Sequence, residues 1–318
     1  MPGSSRPRRG YSFVMAEAAL IERVLETAAG AARMAAVGAG DVAGSLNPTG
    51  NGHGPDDWLD AWDPAYIRTT VPALHAMSRI YFRCEVDGLS NIPAEGPVLL
   101  VGNHSGGTLI ADTFVFAQAF YRHFGPLRRF HQLAHDLVFK VPGARASLSK
   151  YGTVPASPEN MRRALERDAA LLVYPGGDHE TYRPSWESSK IDFAGRQGFA
   201  RLAIELGCPI VPVVAIGGQE TALFLGQGRD LARRLRLDRM RLKVFPAQIA
   251  PPFGLTVLDL PSRLPLPAKI VVRALPKIDL KQRLGKKPDP DDAYELVTGQ
   301  MQEALDDLQA ERILPVVG

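Results

Sequence analysis

The chain has 318 residues, 45% of them hydrophobic, and a formal net charge of +3. That length suits one large α/β domain with an appendage, or two small domains, and so mild a charge gives bulk electrostatics no argument for a nucleic-acid partner. Cys84 and Cys208 are the only cysteines, which excludes a four-thiolate metal site and leads us to expect two reduced, buried thiols.

No apolar run reaches the ~18 residues of a membrane span. The nearest, over 109–121, is interrupted by Asp112. The start is basic, but Glu17 and Glu22 break any apolar core, so it makes a poor signal peptide. The expectation is a cytoplasmic protein, soluble or peripherally associated with a membrane.

Residues 1–9 are rich in Ser, Pro and Arg, 11–37 are Ala-rich and helical in pattern, and 38–55 are dominated by Gly, Asn and Pro. Residues 1–55 are therefore read as a flexible, partly helical N-terminal appendage to a domain over 56–318. Pro64 and Pro72 split 57–80 into two expected helical pieces. Residues 82–86 alternate like a strand, and 98–101 (VLLV) read as a buried strand. Gly102-Asn103-His104-Ser105-Gly106-Gly107 follows, and apolar residues return at helical spacing over 109–120.

Further strands are expected over 128–134, 151–156, 170–174, 208–216, 242–245 and 268–274. Helices are expected from Ser157 to Arg167, with Ser157 as N-cap and Pro158 at the first position, and over 196–206, 229–237 and 291–312. Strands alternating with helices predict a three-layer αβα core around a mixed, mostly parallel sheet. Functional loops then gather at the carboxyl ends of strands. The His104 loop, the turn at 153–156 and the loop Pro175-Gly176-Gly177-Asp178-His179-Glu180 all follow such strands.

His104 stands at a strand–turn–helix junction, where backbone can approach a ligand and helix N–H groups converge. An imidazole there can act as a general base, given a partner on its other nitrogen. Asp112 is the nearest acid downstream. On one continuous helix that separation would mean about 12 Å of rise, too far for a hydrogen bond. The pair works only if 105–108 folds back, which the two glycines allow, with Thr108 as N-cap. The residues equally allow His104 to satisfy a helix start while Asp112 is a surface acid.

Four landmarks then occur in order: Asn103-His104 with Asp112, Tyr151 to Ala156, Val173-Tyr174-Pro175-Gly176-Gly177 with Glu180 and Arg183, and Cys208-Pro209-Ile210-Val211-Pro212-Val213. The chain thereby resembles the PlsC-like glycerolipid acyltransferases, of the lysophosphatidic-acid type, over roughly 81–279. Two departures stand out. His and Asp are eight apart where the family usually has five, and the usual Glu-Gly-Thr-Arg phosphate element is replaced by Gly176-Gly177-Asp178-His179-Glu180. A Pro-Gly-Gly followed by Glu is similar to the branch that acylates mono- and diacylglycerol.

The resemblance implies transfer of a fatty acyl group from acyl-coenzyme A or acyl carrier protein to a glycerolipid hydroxyl, either lysophospholipid or mono/diacylglycerol. His104 would be the base and Asp112 its partner, with no metal, no cofactor and no acyl-enzyme required. Asn103, Gly106, Gly107, Gly176, Gly177, Glu180 and Arg183 would line the substrate site, with N–H groups near Gly106 and Gly107 receiving the oxyanion. Two other outcomes are a non-catalytic lipid- or acyl-binding protein on the same fold, and a hydrolase.

Gly176-Gly177 also fits a plain tight turn, and Glu180 an ion pair that shapes the loop. Arg183 fits a phosphate or coenzyme ligand by its fork geometry, or a solvated arginine. Arg196 at a helix start hints at a specific partner. His131 and His135 would make a metal pair only if helical, and His179 reads as exposed. Over 229–267 a basic stretch is followed by a Pro-rich apolar one, a combination suited to a membrane lipid surface or, alternatively, to a solvated helix and a packed loop.

Overall fold

The structure is a computed structural model that describes residues 57–107, 110–140, 144–234, 246–251, 254–257, 264–314 and 316. The appendage expected over 1–55, the strand over 242–245 and the Thr108 cap lie outside these residues.

Seven strands form the main sheet: β1 (Glu85–Asp87), β2 (Val98–Gly102), β3 (Phe130–Ala134), β4 (Thr153–Pro155), β5 (Ala170–Val173), β6 (Ile210–Ile216) and, after a separate three-stranded sheet, β10 (Val271–Ala274). Their order is β1-β10-β6-β2-β5-β3-β4. Every pairing is parallel except β10 with β6. The small sheet joins β7 (Leu223–Gly226), β8 (Ala247–Ala250) and β9 (Gly254–Val257) in that order, all antiparallel.

The three-layer α/β expectation holds, and the period-2 geometry of strands explains it. Leu99 and Val101 of β2, Leu171 and Val173 of β5, and Ile210 and Val214 of β6 share one core with Phe199, Ala203, Val297, Met301 and Leu305. These latter residues come from the helices Gly198–Leu206 and Pro290–Ala310. Val98, Leu100, Leu172, Val211 and Val213 point the other way, onto Ile67, Val71, Val115, Phe116 and Phe120. Those belong to the helices Pro64–Tyr81 and Ala111–Phe124. Strands covered on both faces need near-continuous apolar runs, which β2, β5 and β6 have.

Several boundaries differ from expectation. Pro72 does not split its segment: one helix runs Pro64–Tyr81 straight through it. Interior proline costs about 3 kcal/mol, and the burial of Ile67 and Val71 on the sheet offsets that. A helix at Ala144–Lys150 and strands β7 to β9 are additions that local periodicity does not show. The Ser157 cap forms as expected, accepting the N–H of Asn160 ahead of the helix Pro158–Glu166.

The sheet order decides which loops meet. β5 and β6 flank β2, so the His104 loop and the Pro175 loop are neighbours. The turn after β4 lies at the sheet edge, two strands beyond β5, and takes no part in that cluster.

Candidate active site

β2 ends at Gly102, and Asn103 continues its pairing with a side chain. The Asn103 amide donates to the carbonyl of Ala215 at 2.9 Å and accepts the Ala215 N–H at 2.8 Å. This sets Asn103 as an anchor of the loop on β6.

The chain then reverses. Gly106 and Gly107 have φ of +93° and +70°. A side chain at Gly106 would meet the carbonyl oxygen of Gly218 at 2.8 Å, so both the left-handed turn and the close approach require glycine. The fold-back inferred from the doubled glycine is present, but it delivers the Asp112 carboxylate to Ser105. The N–H and hydroxyl of Ser105 both donate to Oδ2 of Asp112 at 3.2 Å, and the N–H of Thr113 donates to Oδ1 at 2.7 Å. Asp112 lies in the first turn of the helix Ala111–Phe124, where the dipole favours a carboxylate. It is 1% exposed, so the surface-acid alternative fails. Burial pushes its pKa up to about 6, against the bonds from Thr113 and Ser105.

His104 is therefore not hydrogen-bonded to Asp112. Among the described residues its Nδ1 is buried and has no hydrogen-bond partner. The ring is held instead by stacking on Tyr174, with centroids 4.2 Å apart and planes 19° apart. The hydroxyl of Tyr174 accepts from Thr113 at 2.8 Å, which links the stacking ring to the residue after Asp112. Burial holds the imidazole pKa down to about 3, so it is neutral near pH 7.

The loop after β5 is tied to this histidine from below. Glu180, fully buried, accepts the backbone N–H of His104 on Oε2 at 3.1 Å. Its Oε1 accepts from Arg183 at 2.7 Å and from the Asp192 N–H at 3.2 Å. Burial pushes the Glu180 pKa up to about 7, against the pull of the Arg183 guanidinium. Gly176 is needed because a Cβ there would sit 2.3 Å from the Glu180 side chain. Gly177 accepts the Thr181 N–H at the start of the short helix Asp178–Thr181.

Two expectations are corrected here. Arg183 is not a free fork for phosphate. Its guanidinium donates to the carbonyls of Glu180, Glu187 and Lys190 as well as to the Glu180 carboxylate. Nor are the N–H groups of Gly106 and Gly107 open to an oxyanion. The first donates to Oε1 of Gln219 at 3.1 Å and the second to the carbonyl of Thr181 at 3.2 Å.

Gln219 and Tyr174 are the residues that sequence reasoning missed as site residues. Gln219 accepts from the His104 loop and donates to the Arg183 carbonyl, bridging both loops. Only the position of Tyr174 inside the Val173–Gly177 landmark could have flagged it. Arg196 does find a specific partner: it donates to the carbonyls of Pro175 and Gly176 and to Asp178. His131 lies on β3 with Nδ1 against the Gly152 carbonyl, so the helical metal pair with His135 does not arise. Among the described residues, no group of three or more His, Cys, Asp or Glu side chains could hold a metal ion.

The room beside the imidazole is small, about 10 Å³, and is bordered by Ser105, Arg183, Ala215 and Gln219. A larger cleft of about 240 Å³ borders His179, Arg183, Glu187 and Lys190 and contains neither His104 nor Asp112. His179 there is not simply exposed: its Nε2 lies 2.8 Å from Asp192.

Comparison with known proteins bears on this geometry. Residues 83–216 match the model of the family described as Acyltransferase. An uncharacterized protein of Mycobacterium tuberculosis is 31% identical over 204 residues, covering 64% of this chain and 56% of that protein. A Bos taurus protein named DGAT1/2-independent enzyme synthesizing storage lipids is 30% identical over 194 residues, covering 61% of this chain and 54% of that protein. The chain thus spans about half the length of these curated relatives. The crystal structure of the 1-acyl-sn-glycerophosphate acyltransferase PlsC from Thermotoga maritima superposes with a TM-score of 0.48 and 15% identity, over 78% of this chain and 83% of that one.

Proposed function

We propose that the chain, whose residues 83–216 match the acyltransferase family model, acts as a member of that family and moves a fatty acyl group from a thioester donor, acyl-coenzyme A or acyl carrier protein, to a glycerolipid hydroxyl. The observation that carries this reading is His104: a neutral imidazole with an unpaired buried nitrogen, held by a stack and a backbone tether rather than consumed in a network. The imidazole takes the acceptor's proton as the hydroxyl oxygen attacks the thioester carbonyl. The C–S bond breaks as the ester forms, and the proton passes on to the leaving thiolate. The activated thioester needs no acyl-enzyme. Asp112 acts as a positioning group, fixing Ser105 beside the base.

The acceptor we favour is a neutral glycerolipid, mono- or diacylglycerol. Arg183, the third landmark's candidate for a phosphate, is spent on protein carbonyls. The name of the Bos taurus relative, which concerns storage lipids, agrees with a neutral acceptor. Such acceptors place the enzyme at a membrane surface, on the cytoplasmic side. No helix among the described residues is long and apolar enough to cross a membrane.

The test is product analysis with a panel of lysophosphatidic acid, monoacylglycerol and diacylglycerol, read beside thiol release. His104→Ala should lower transfer by about 10²–10⁴-fold. Retained transfer in that variant would remove His104 as the base, and no transfer even by the wild type, with lipid binding unchanged in the variant, would leave a lipid- or acyl-binding protein. Thiol release independent of acceptor would instead mark a hydrolase.

A further inference from the structure

The sheet β7-β8-β9 is apolar on both faces: Phe224 and Ala250 are buried on the inner one. On an ordinary half-exposed antiparallel sheet, polar residues face water and apolar ones face the core. Here Gln248 is fully buried beside Phe224, its cross-strand partner. On the opposite face, Leu223 pairs with Ile249 and Ile249 with Leu255, so the three side chains form one row across all three strands. They are 44%, 41% and 67% exposed. Leu225, two residues along β7, is also exposed.

The surroundings of this row share one character. Leu264, exposed, donates its N–H to the Pro251 carbonyl in the β8–β9 turn. Trp186, exposed, follows Ser185, whose hydroxyl oxygen accepts the Phe224 N–H. The helix Arg229–Arg234 begins three residues after β7 and carries Arg229, Arg233 and Arg234 against a single Asp230. All three arginines are exposed. A contiguous apolar patch of this kind marks an interaction site. Aliphatic side chains with an indole and cations beside them match the depth profile of a bilayer: acyl chains, then the interface, then anionic headgroups. The cations select a lipid surface over a second copy of this chain, whose matching face would set arginines against arginines.

We propose that the outer face of β7-β8-β9, together with the arginines of the 229–234 helix, seats the protein on an anionic lipid surface. The proposal extends the acyltransferase reading above and rests on it for its purpose. Gln219, which holds the His104 loop, lies four residues before β7. The segment that leads into this sheet thus also holds the loop of the base.

The experiment is co-sedimentation of the full chain with phosphatidylcholine vesicles, with and without phosphatidylglycerol. We expect binding only with the anionic lipid, weakened by salt. Arg233→Ala and Arg234→Ala should each weaken partitioning about fivefold. Leu255→Ser should weaken it by about tenfold. Their melting temperatures should be unchanged, since these side chains are exposed. Wild-type sedimentation by all three variants would overturn the proposal. So would a dimer that Leu255→Ser dissociates while vesicle binding persists. Absence of acyl transfer with intact, variant-sensitive sedimentation would sink the catalytic reading and leave this one standing.

Discussion

Two glycine loops meet at the carboxyl ends of β2 and β5, and they handle polar groups in opposite ways. In the β5 loop, every group near the Glu180–Arg183 pair finds a partner: carbonyl, carboxylate or backbone N–H. In the β2 loop, backbone groups are equally well served, yet the buried Nδ1 of the imidazole at its centre has no partner among the described residues. Buried polar atoms are normally paired, so an orphan at one position of an otherwise satisfied cluster points to use rather than neglect. The saturated loop is the support, and the unsaturated one holds the reactive group.

The strongest way to break that division is to dismantle the support. Glu180→Leu strands the Arg183 guanidinium and the N–H groups of His104 and Asp192. Denaturant melts should show a loss of about 3–5 kcal/mol, as for one partner removed from a buried pair. A loss under 1 kcal/mol would mean the loop does not depend on the carboxylate.

A second test uses proton linkage. Glu180 has its folded pKa raised from 4.5 to about 7, so the native state holds its proton more tightly than the unfolded state. Its contribution to stability is complete below about pH 4.5 and is lost as pH rises through about 7. Glu180→Gln does not titrate. The stability gap between wild type and this variant should therefore narrow as pH rises across that window, by up to a few kcal/mol. A gap that widens would place the folded pKa below its ordinary value.

The smallest effect sharpens the comparison at the stack. Tyr174→Phe keeps the ring against His104 and loses only the Thr113 bond. Tyr174→Leu removes the stack, an interaction worth about 1 kcal/mol. Transfer should fall about fivefold in the leucine variant and stay near wild type in the phenylalanine one. Equal losses in both would assign the role to the hydroxyl.

Much of the scaffold was legible because its signals are local. The runs at 98–101 and 170–173 announce buried strands, and Ser157-Pro158 announces a helix start. The doubled glycine at 106–107 announced a reversal, which occurs. What it could not announce was which group the returning carboxylate would meet, because Ser105 and His104 are adjacent and only coordinates separate them. Arg183 read as an anion ligand because its acceptors, the Glu187 and Lys190 carbonyls, are backbone atoms that carry no sequence signature. Gln219 and the insertion of β10 between β1, its parallel neighbour, and β6, its antiparallel one, were hidden for the same reason: long-range pairing leaves no periodicity.

One consequence follows from the way β2 ends. Its last backbone pairing joins Gly102 to Val213, and the next rung of the ladder is made by the Asn103 amide against both polar atoms of Ala215. A side chain here impersonates a peptide group, offering one donor and one acceptor at the spacing a strand would use. Aspartate has the shape without the donor, and glutamine has both groups on a stem one carbon too long. The height at which the imidazole stands above the sheet is thus fixed by an amide mimic that no other residue type reproduces.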